Sequence, residues 1–173
     1  MNAPLPQPVA FRRRPGDGEL ARRLAGAVAG DVLFDPASRG RYATDASIYQ
    51  VDPVGVLVPR TMDDVRAAIA VCRELAVPVL ARGAGSSQCG QTVGRALVVD
   101  HSKQLAGVVA FDEEARTVTV EPGIVLDALN AWLKPRGLWF PVDVSTSAQC
   151  TLGGMAGNNS CGSRSIAFGN MVH

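Results

Sequence analysis

The chain has 173 residues, 47% of them hydrophobic, with 17 Lys and Arg against 16 Asp and Glu for a net charge of +1. That is enough apolar material to bury a core in one domain or two small lobes, and the balanced charge excludes the broad basic footprint of a nucleic-acid-binding protein. No apolar run reaches the ~20 residues that cross a bilayer, and Met1 to Pro15 lacks the apolar centre of a secretory signal, so a cytoplasmic chain without a transmembrane segment is expected.

Residues 1–18 are rich in Pro and Arg and read as a disordered leader. Arg12-Arg13-Arg14, with Arg22-Arg23 behind it, reads as a solvated run rather than a binding patch. Leu20, Leu24 and Val28 recur at helical spacing and predict a helix over 19–29, weakened by Gly26. From Asp31 to Gln50 the residues are polar and aromatic without a clear period, which predicts an ordered loop. Residues 19–53 are thus expected to form an N-terminal helix and loop ahead of a domain over 54–173.

Val54–Val58, between Pro53 and Pro59, reads as a strand. Thr61 and Asp64 have the spacing of a capping box, and Val65, Ala68, Ile69 and Cys72 then predict the apolar face of a helix ending before Val77-Pro78. Val77–Ala81 reads as a buried strand, so the stretch forms a βαβ unit with a parallel strand pair.

That strand runs into Arg82-Gly83-Ala84-Gly85-Ser86-Ser87-Gln88-Cys89-Gly90, a loop with almost no side-chain bulk. Such a loop lets a ligand approach the main chain closely, and successive N–H groups can converge into a concave anion site. It leaves the carboxyl end of a strand, where ligands bind open α/β sheets. Ala96–Asp100 reads as a further strand, and Val108–Phe111 with Thr117–Glu121 as a hairpin ended by Pro122-Gly123. Ile124, Leu126, Leu129, Trp132 and Leu133 then line a helix that stops near Pro135 and Gly137.

Pro141 to Gly162 is dense in hydroxyls, amides and glycines and has neither helix nor strand period. Polar groups at that density are solvated or bound to something polar, and a segment of this length without regular structure is unusual unless it is functional. The two glycine-rich loops therefore read as opposing walls of one site.

Two phosphate motifs fit poorly. Gly85 to Thr92 approaches a P-loop, but Gln91 stands where the phosphate-binding lysine is required. The dinucleotide fingerprint G-x-G-x-x-G fails because Gln88 occupies its third glycine. Cys72, Cys89, Cys150 and Cys161 form no C-x-x-C pair and have no histidine at ligand spacing, so no metal site is expected. His101 and His173 read as structural or surface residues.

At these residues the chain resembles the flavoproteins of the p-cresol methylhydroxylase and vanillyl-alcohol oxidase fold. Within that group it is most similar to the glycolate oxidase and D-lactate or D-2-hydroxyglutarate dehydrogenase branch. Arg82-Gly-Ala-Gly-Ser-Ser resembles the first FAD loop, and Thr151-Leu-Gly-Gly-Met-Ala-Gly-Asn-Asn-Ser-Cys-Gly the second. Tyr42-Ala-Thr-Asp-Ala-Ser-Ile-Tyr, Pro59-Arg60, Asp63-Asp64-Val65 and Glu121-Pro-Gly-Ile-Val-Leu-Asp-Ala-Leu-Asn complete the ordered set. Val144 departs from it, standing where a proline is common, as does Cys89, where alanine is frequent.

The resemblance implies an α+β fold of two lobes holding FAD between them. A small βαβ lobe with parallel strands precedes a mixed or antiparallel lobe, incomplete at its C-terminus. Amides of Gly83, Ala84, Gly85, Ser86 and Ser87 would carry the pyrophosphate, with Arg82, Gln88 and Gly90 at the loop's edges. Asp143, Ser145, Thr146, Ser147, Thr151, Gly153, Gly154 and Asn158 would lie along the cofactor. The first loop has no histidine to tether a flavin, so non-covalent FAD is expected. The implied chemistry is oxidation of a small D-2-hydroxy acid by hydride transfer to the flavin, with an unidentified electron acceptor. The base and the carboxylate-binding cation would come largely from a later substrate domain, making this chain an inactive fragment of a longer enzyme. The competing readings are an alcohol or alditol oxidase or ether-lipid synthase of the same fold, and a non-catalytic nucleotide-binding module.

Overall fold

The computed structural model describes residues 18–173, so the expected leader lies outside the described residues save for Gly18. The chain builds two lobes, each around its own apolar cluster. In the first, helix α1 (Gly18–Ala27) buries Leu20 and Leu24 against helix α3 (Met62–Glu74). Strand β1 (Asp31–Leu33) pairs antiparallel with β2 (Gly55–Val58), Val32 opposite Leu57. The expected 31–50 loop thus holds a strand and a short helix, α2 (Pro36–Arg41). Asp35 caps that helix, its carboxylate accepting from Ser38 N at 2.9 Å, and Pro36 opens its first turn, where the missing N–H costs nothing. Three residues of strand and six of helix are too few to declare a period.

The capping box at α3 forms: Asp64 N donates to Thr61 Oγ1 at 3.1 Å, and Thr61 N donates back to Asp64 Oδ2 at 3.2 Å. Val65, Ala68 and Cys72 face the core, but Ile69 is 49% exposed and Val71 takes the inward position. Strand β3 (Val79–Arg82) follows, then β4 (Leu97–Asp100). The sheet order is β1-β2-β4-β3. β2 and β3 are parallel as expected, but they are not neighbours: β4 lies between them, with Val56 opposite Val98 on one side and Leu80 opposite Val98 on the other. The central strands β2 and β4 are buried throughout. β3, expected to be buried, is an edge strand with Val79 40% exposed.

The second lobe pairs β5 (Val108–Asp112) with β6 (Thr117–Val120) as an antiparallel hairpin. Helix α4 (Leu126–Leu133), continued by a 3-10 turn over Lys134–Arg136, buries Leu126, Leu129 and Leu133 with Ile124 and Met155. Gly137 ends the element at φ +68°, the left-handed conformation that suits glycine. Trp132 sets its ring edge-on to Phe111, 5.3 Å between centroids, closing the helix on the hairpin. Within the stretch expected to lack regular structure, Thr151 caps helix α5 (Leu152–Gly157). Its leucine and methionine enter the core, whereas its glycines hide the helical period from a count of apolar residues. The last element, α6 (Ser165–Phe168), ends at Gly169.

Candidate functional site

The two glycine-rich stretches meet. They line a single cleft of about 670 Å³ between the lobes, within the ~300–1,000 Å³ range of small-molecule and cofactor sites. The first wall is Arg82 to Gln88 with Gln91 and Thr92, leaving the carboxyl end of β3. The facing wall is Val144 to Thr146, Cys150, Thr151 and the α5 region from Gly153 to Cys161. His101, just beyond β4, and Pro122, beyond β6, close the floor.

The walls are held together by contacts that only glycine allows. A Cβ on Gly83 would stand 2.2 Å from Thr151 Oγ1. One on Gly153 would stand 2.6 Å from Pro122 Cβ, and Gly153 N donates to Pro122 O at 2.8 Å.

The two walls differ in what they offer a ligand. Among the described residues, none accepts a hydrogen bond from the main-chain N–H groups of Gly83 through Gln88. Across the cleft, the first amides of α5 are already used: Leu152 N donates to Ile124 O, Gly153 N to Pro122 O and Gly154 N to Thr151 Oγ1. The first loop therefore presents open donors, and the second a packed surface with the hydroxyl and amide side chains of Ser145, Thr146, Asn158, Asn159 and Ser160 nearby. No carboxylate is among the lining residues, so nothing there repels an anion. Burial, the largest influence on the Cys150 thiol, pushes its pKa up, so it is held as a thiol.

Of the expected site residues, Gly90, Asp143 and Ser147 do not line the cleft. Gly90, at φ +73°, lies under the Tyr49 ring. Asp143 turns toward the C-terminal segment, accepting from Ser163 Oγ at 2.8 Å and Arg164 N at 3.0 Å. The Arg164 amide is the main influence holding its carboxyl below the usual range. Ser147 O accepts from Asp127 N at 3.2 Å, in the first turn of α4. The remaining expected residues all line the cleft: Arg82, Gly83, Ala84, Gly85, Ser86, Ser87, Gln88, Ser145, Thr146, Thr151, Gly153, Gly154 and Asn158. His101 and Pro122 were not expected there. His101 carries no local motif and Pro122 reads from sequence only as the end of a hairpin, so the pairing of β3 with β4 and the closure of the second lobe are what bring them in.

An anion fits the open amides, and an extended ligand with polar and apolar parts fits the mixed walls. Among the described residues, no helix is long and apolar enough to cross a membrane, and no group of three or more His, Cys, Asp or Glu could hold a metal ion.

Comparison with known proteins agrees with this geometry. Residues 53–173 match the family described as FAD binding domain. D-2-hydroxyglutarate dehydrogenase of Pantoea ananatis is 38% identical over 143 residues, covering 81% of this chain and 14% of its own length. Glycolate oxidase subunit GlcD of Bacillus subtilis is 36% identical over 150 residues, covering 82% of this chain and 31% of its own length. The chain therefore spans between about a seventh and a third of these relatives. Among solved structures, an alkyldihydroxyacetonephosphate synthase superposes with a TM-score of 0.78 over 90% of this chain and 31% of its own, at 20% identity. BBE-like 1 of Physcomitrella patens superposes at 0.73 over 88% of this chain and 33% of its own, at 21% identity. At that identity the structures speak for the fold alone: two lobes enclosing one cleft. The family match runs from just before β2 to the last residue and includes both walls, so this chain belongs to the FAD-binding domain family, with FAD as its cofactor.

Proposed function

We propose that this chain is the cofactor-binding part of an oxidoreductase that oxidises a small D-2-hydroxy acid, of the D-2-hydroxyglutarate, D-lactate or glycolate type. The observation that carries the cofactor side of this reading is the run of unpaired main-chain N–H groups from Gly83 to Gln88 in a cleft without carboxylates. Each amide that meets a charged oxygen contributes roughly 1.5–3 kcal/mol, so this run suits the diphosphate of a dinucleotide. The substrate class is supported by relatives named for 2-hydroxy acids that are 38% and 36% identical to this chain.

Bound FAD would supply the hydride-accepting chemistry for oxidation at the carbon that bears the substrate hydroxyl. This chain's residues bind and orient. Gly83 and Gly85 let main chain approach the phosphates, Ser145, Thr146, Asn158 and Ser160 offer hydroxyl and amide partners along the facing wall, and Pro122, Val144 and Met155 supply apolar surface. The rise in the Cys150 thiol's pKa keeps that residue a neutral wall element. His101 is the one imidazole among the cleft-lining residues. The complete reading-frame product, loaded with oxidised FAD and mixed anaerobically with candidate substrates, tests the reading. Bleaching of the flavin absorption by a D-2-hydroxy acid, and not by its L-enantiomer or by a simple alcohol, is the expected result. A colourless protein that retains adenine nucleotides, or bleaching by an alditol alone, overturns it.

A further inference from the structure

Residues 42–50 line no part of the cleft, yet residues 42–46 are hydrogen-bonded to the first glycine loop and to Thr92 just beyond it. Arg82 donates through Nη2 to Thr44 O at 2.9 Å, and through Nη1 to Thr92 O at 3.3 Å and Tyr42 O at 3.4 Å. Its guanidinium also lies over the Tyr42 ring, 5.2 Å from the centroid. Ala46 N donates to Gly85 O at 3.1 Å. Asp45 accepts through Oδ2 from Thr92 Oγ1 at 3.0 Å and Thr92 N at 3.4 Å, and through Oδ1 from Ser47 N at 2.8 Å. Tyr42 in turn donates to the buried Asp100 at the end of β4, 2.7 Å away. The loop is thus tied on its far side to a segment that is itself anchored on the central sheet.

The glycines accommodate this arrangement. At Gly85, with φ +71°, an added Cβ would stand 2.5 Å from Arg82 Nη2, and at Gly90 it would stand 2.6 Å from Tyr49 Cδ2. Arg82 has five N–H donors in a fixed fork, and carbonyl oxygens occupy three of its contacts before any ligand arrives. From these contacts we infer that Asp45 and Arg82 are positioning residues. They hold the open amides of the first loop in their binding arrangement without cofactor, Asp45 from outside the cleft. A loop already ordered in its bound form avoids the cost of ordering on binding, which raises affinity without adding a contact to the ligand. The inference rests on the reading that these amides receive the FAD diphosphate.

Asp45→Ala and Arg82→Lys separate this role from simple charge attraction, because lysine keeps the charge but cannot fork to three carbonyls. Two quantities are read: backbone order parameters of Ala84 to Gln88 in the flavin-free chain, and the FAD dissociation constant. In the parent the order parameters stand near ~0.85, and in both variants they fall toward ~0.6. The dissociation constant rises about tenfold in each, while amide exchange in β2 and β4 stays at parental rates. Parental loop order in both variants overturns the inference, as does parental affinity in Arg82→Lys. A parent chain without FAD affinity overturns the functional reading instead, and the order parameters then decide the positioning role by themselves.

Discussion

Gly83 and Thr151 are so close that a single methyl group cannot fit between them: a Cβ on Gly83 would lie 2.2 Å from Thr151 Oγ1. Thr151 is 2% exposed and its hydroxyl caps α5, accepting from Gly154 N at 3.3 Å. The junction of the two walls therefore sits on a side chain that cannot swing aside without uncapping a helix. Gly83→Ala is expected to cost about 1–3 kcal/mol as overpacking, and Thr151→Ala about 1 kcal/mol as a lost cap. In the double variant the new methyl occupies the space the hydroxyl vacates, so denaturant unfolding should show less than the sum of the two losses. Strict additivity would mean that the walls do not meet there.

Backbone close approaches should be less forgiving still. A Cβ at Gly123 would lie 2.0 Å from His101 O and 2.6 Å from Leu105 O, both main-chain atoms that no rotamer change can move. Gly157, at the end of α5, has nothing within 4 Å of such an atom. Gly123→Ala is expected to destabilise by about 3 kcal/mol or to prevent folding. Gly157→Ala should be neutral or stabilising by up to ~1 kcal/mol through helix propensity. Equal melting temperatures for the two variants would contradict the packing at the cleft floor.

Strands β2 to β6, helices α1, α3 and α4 and both walls of the cleft were legible because each has a local signature: a β-branched run, a capping box, an apolar stripe, or a cluster of glycines. What stayed hidden depends on partners distant in sequence. β1 is a strand because Val32 lies opposite Leu57, not because of its own three residues. β4 inserts between β2 and β3, a choice that no segment expresses locally. Asp143 looked like a cleft residue by its neighbours in sequence, but Ser163 and Arg164 claim its carboxylate. His101 carries no motif, and only the end of β4 takes it to the cleft floor.

Asp64 should govern part of the acid stability. Besides closing the capping box, its carboxylate accepts from Ala29 N and Arg60 N, both at 2.8 Å, joining the end of the α1 segment to the start of α3 at a buried point. Burial by itself raises its pKa, but the amides of Ala29, Arg60 and Thr61 outweigh it, and the folded-state value lies below the ordinary 3.8. A depressed carboxylate stabilises the fold above its unfolded pKa, and that contribution disappears as pH falls through the folded one. Stability should thus decline below about pH 4. Asp64→Asn should lower stability by about 2 kcal/mol at neutral pH and flatten this part of the decline. An unchanged acid limb in the variant would remove Asp64 from the account.

Thiol chemistry offers a check on burial around the cleft. Cys89 and Cys161 are exposed, whereas Cys72 is 1% and Cys150 6% exposed. Burial pushes the Cys72 thiol up to about 11 and raises that of Cys150, and the thiolate is the reacting species. An aromatic disulfide reagent should titrate two thiols quickly in the native chain and the other two only on unfolding. Cys161 lines the cleft and Cys89 does not, so saturating FAD should slow Cys161 alone. Fast labelling of Cys150 would place it at the surface.

The manner of flavin attachment follows from which nucleophiles the cleft holds. A covalent bond to the isoalloxazine ring needs a histidine, cysteine or tyrosine side chain at the ring. Among the lining residues these are His101, Cys150 and Cys161, and the first loop contributes none. Cys150 is 6% exposed with its thiol held protonated. The open amides of Gly83 to Gln88 offer affinity through the diphosphate without any bond to the ring. The first loop has no histidine to tether the ring, so FAD is expected to be held non-covalently, and acid precipitation should release all of it to the supernatant, leaving a non-fluorescent pellet. Flavin retained with the pellet would contradict this, and loss of that retention in His101→Ala, in Cys161→Ala or only in the double variant would then identify the attachment.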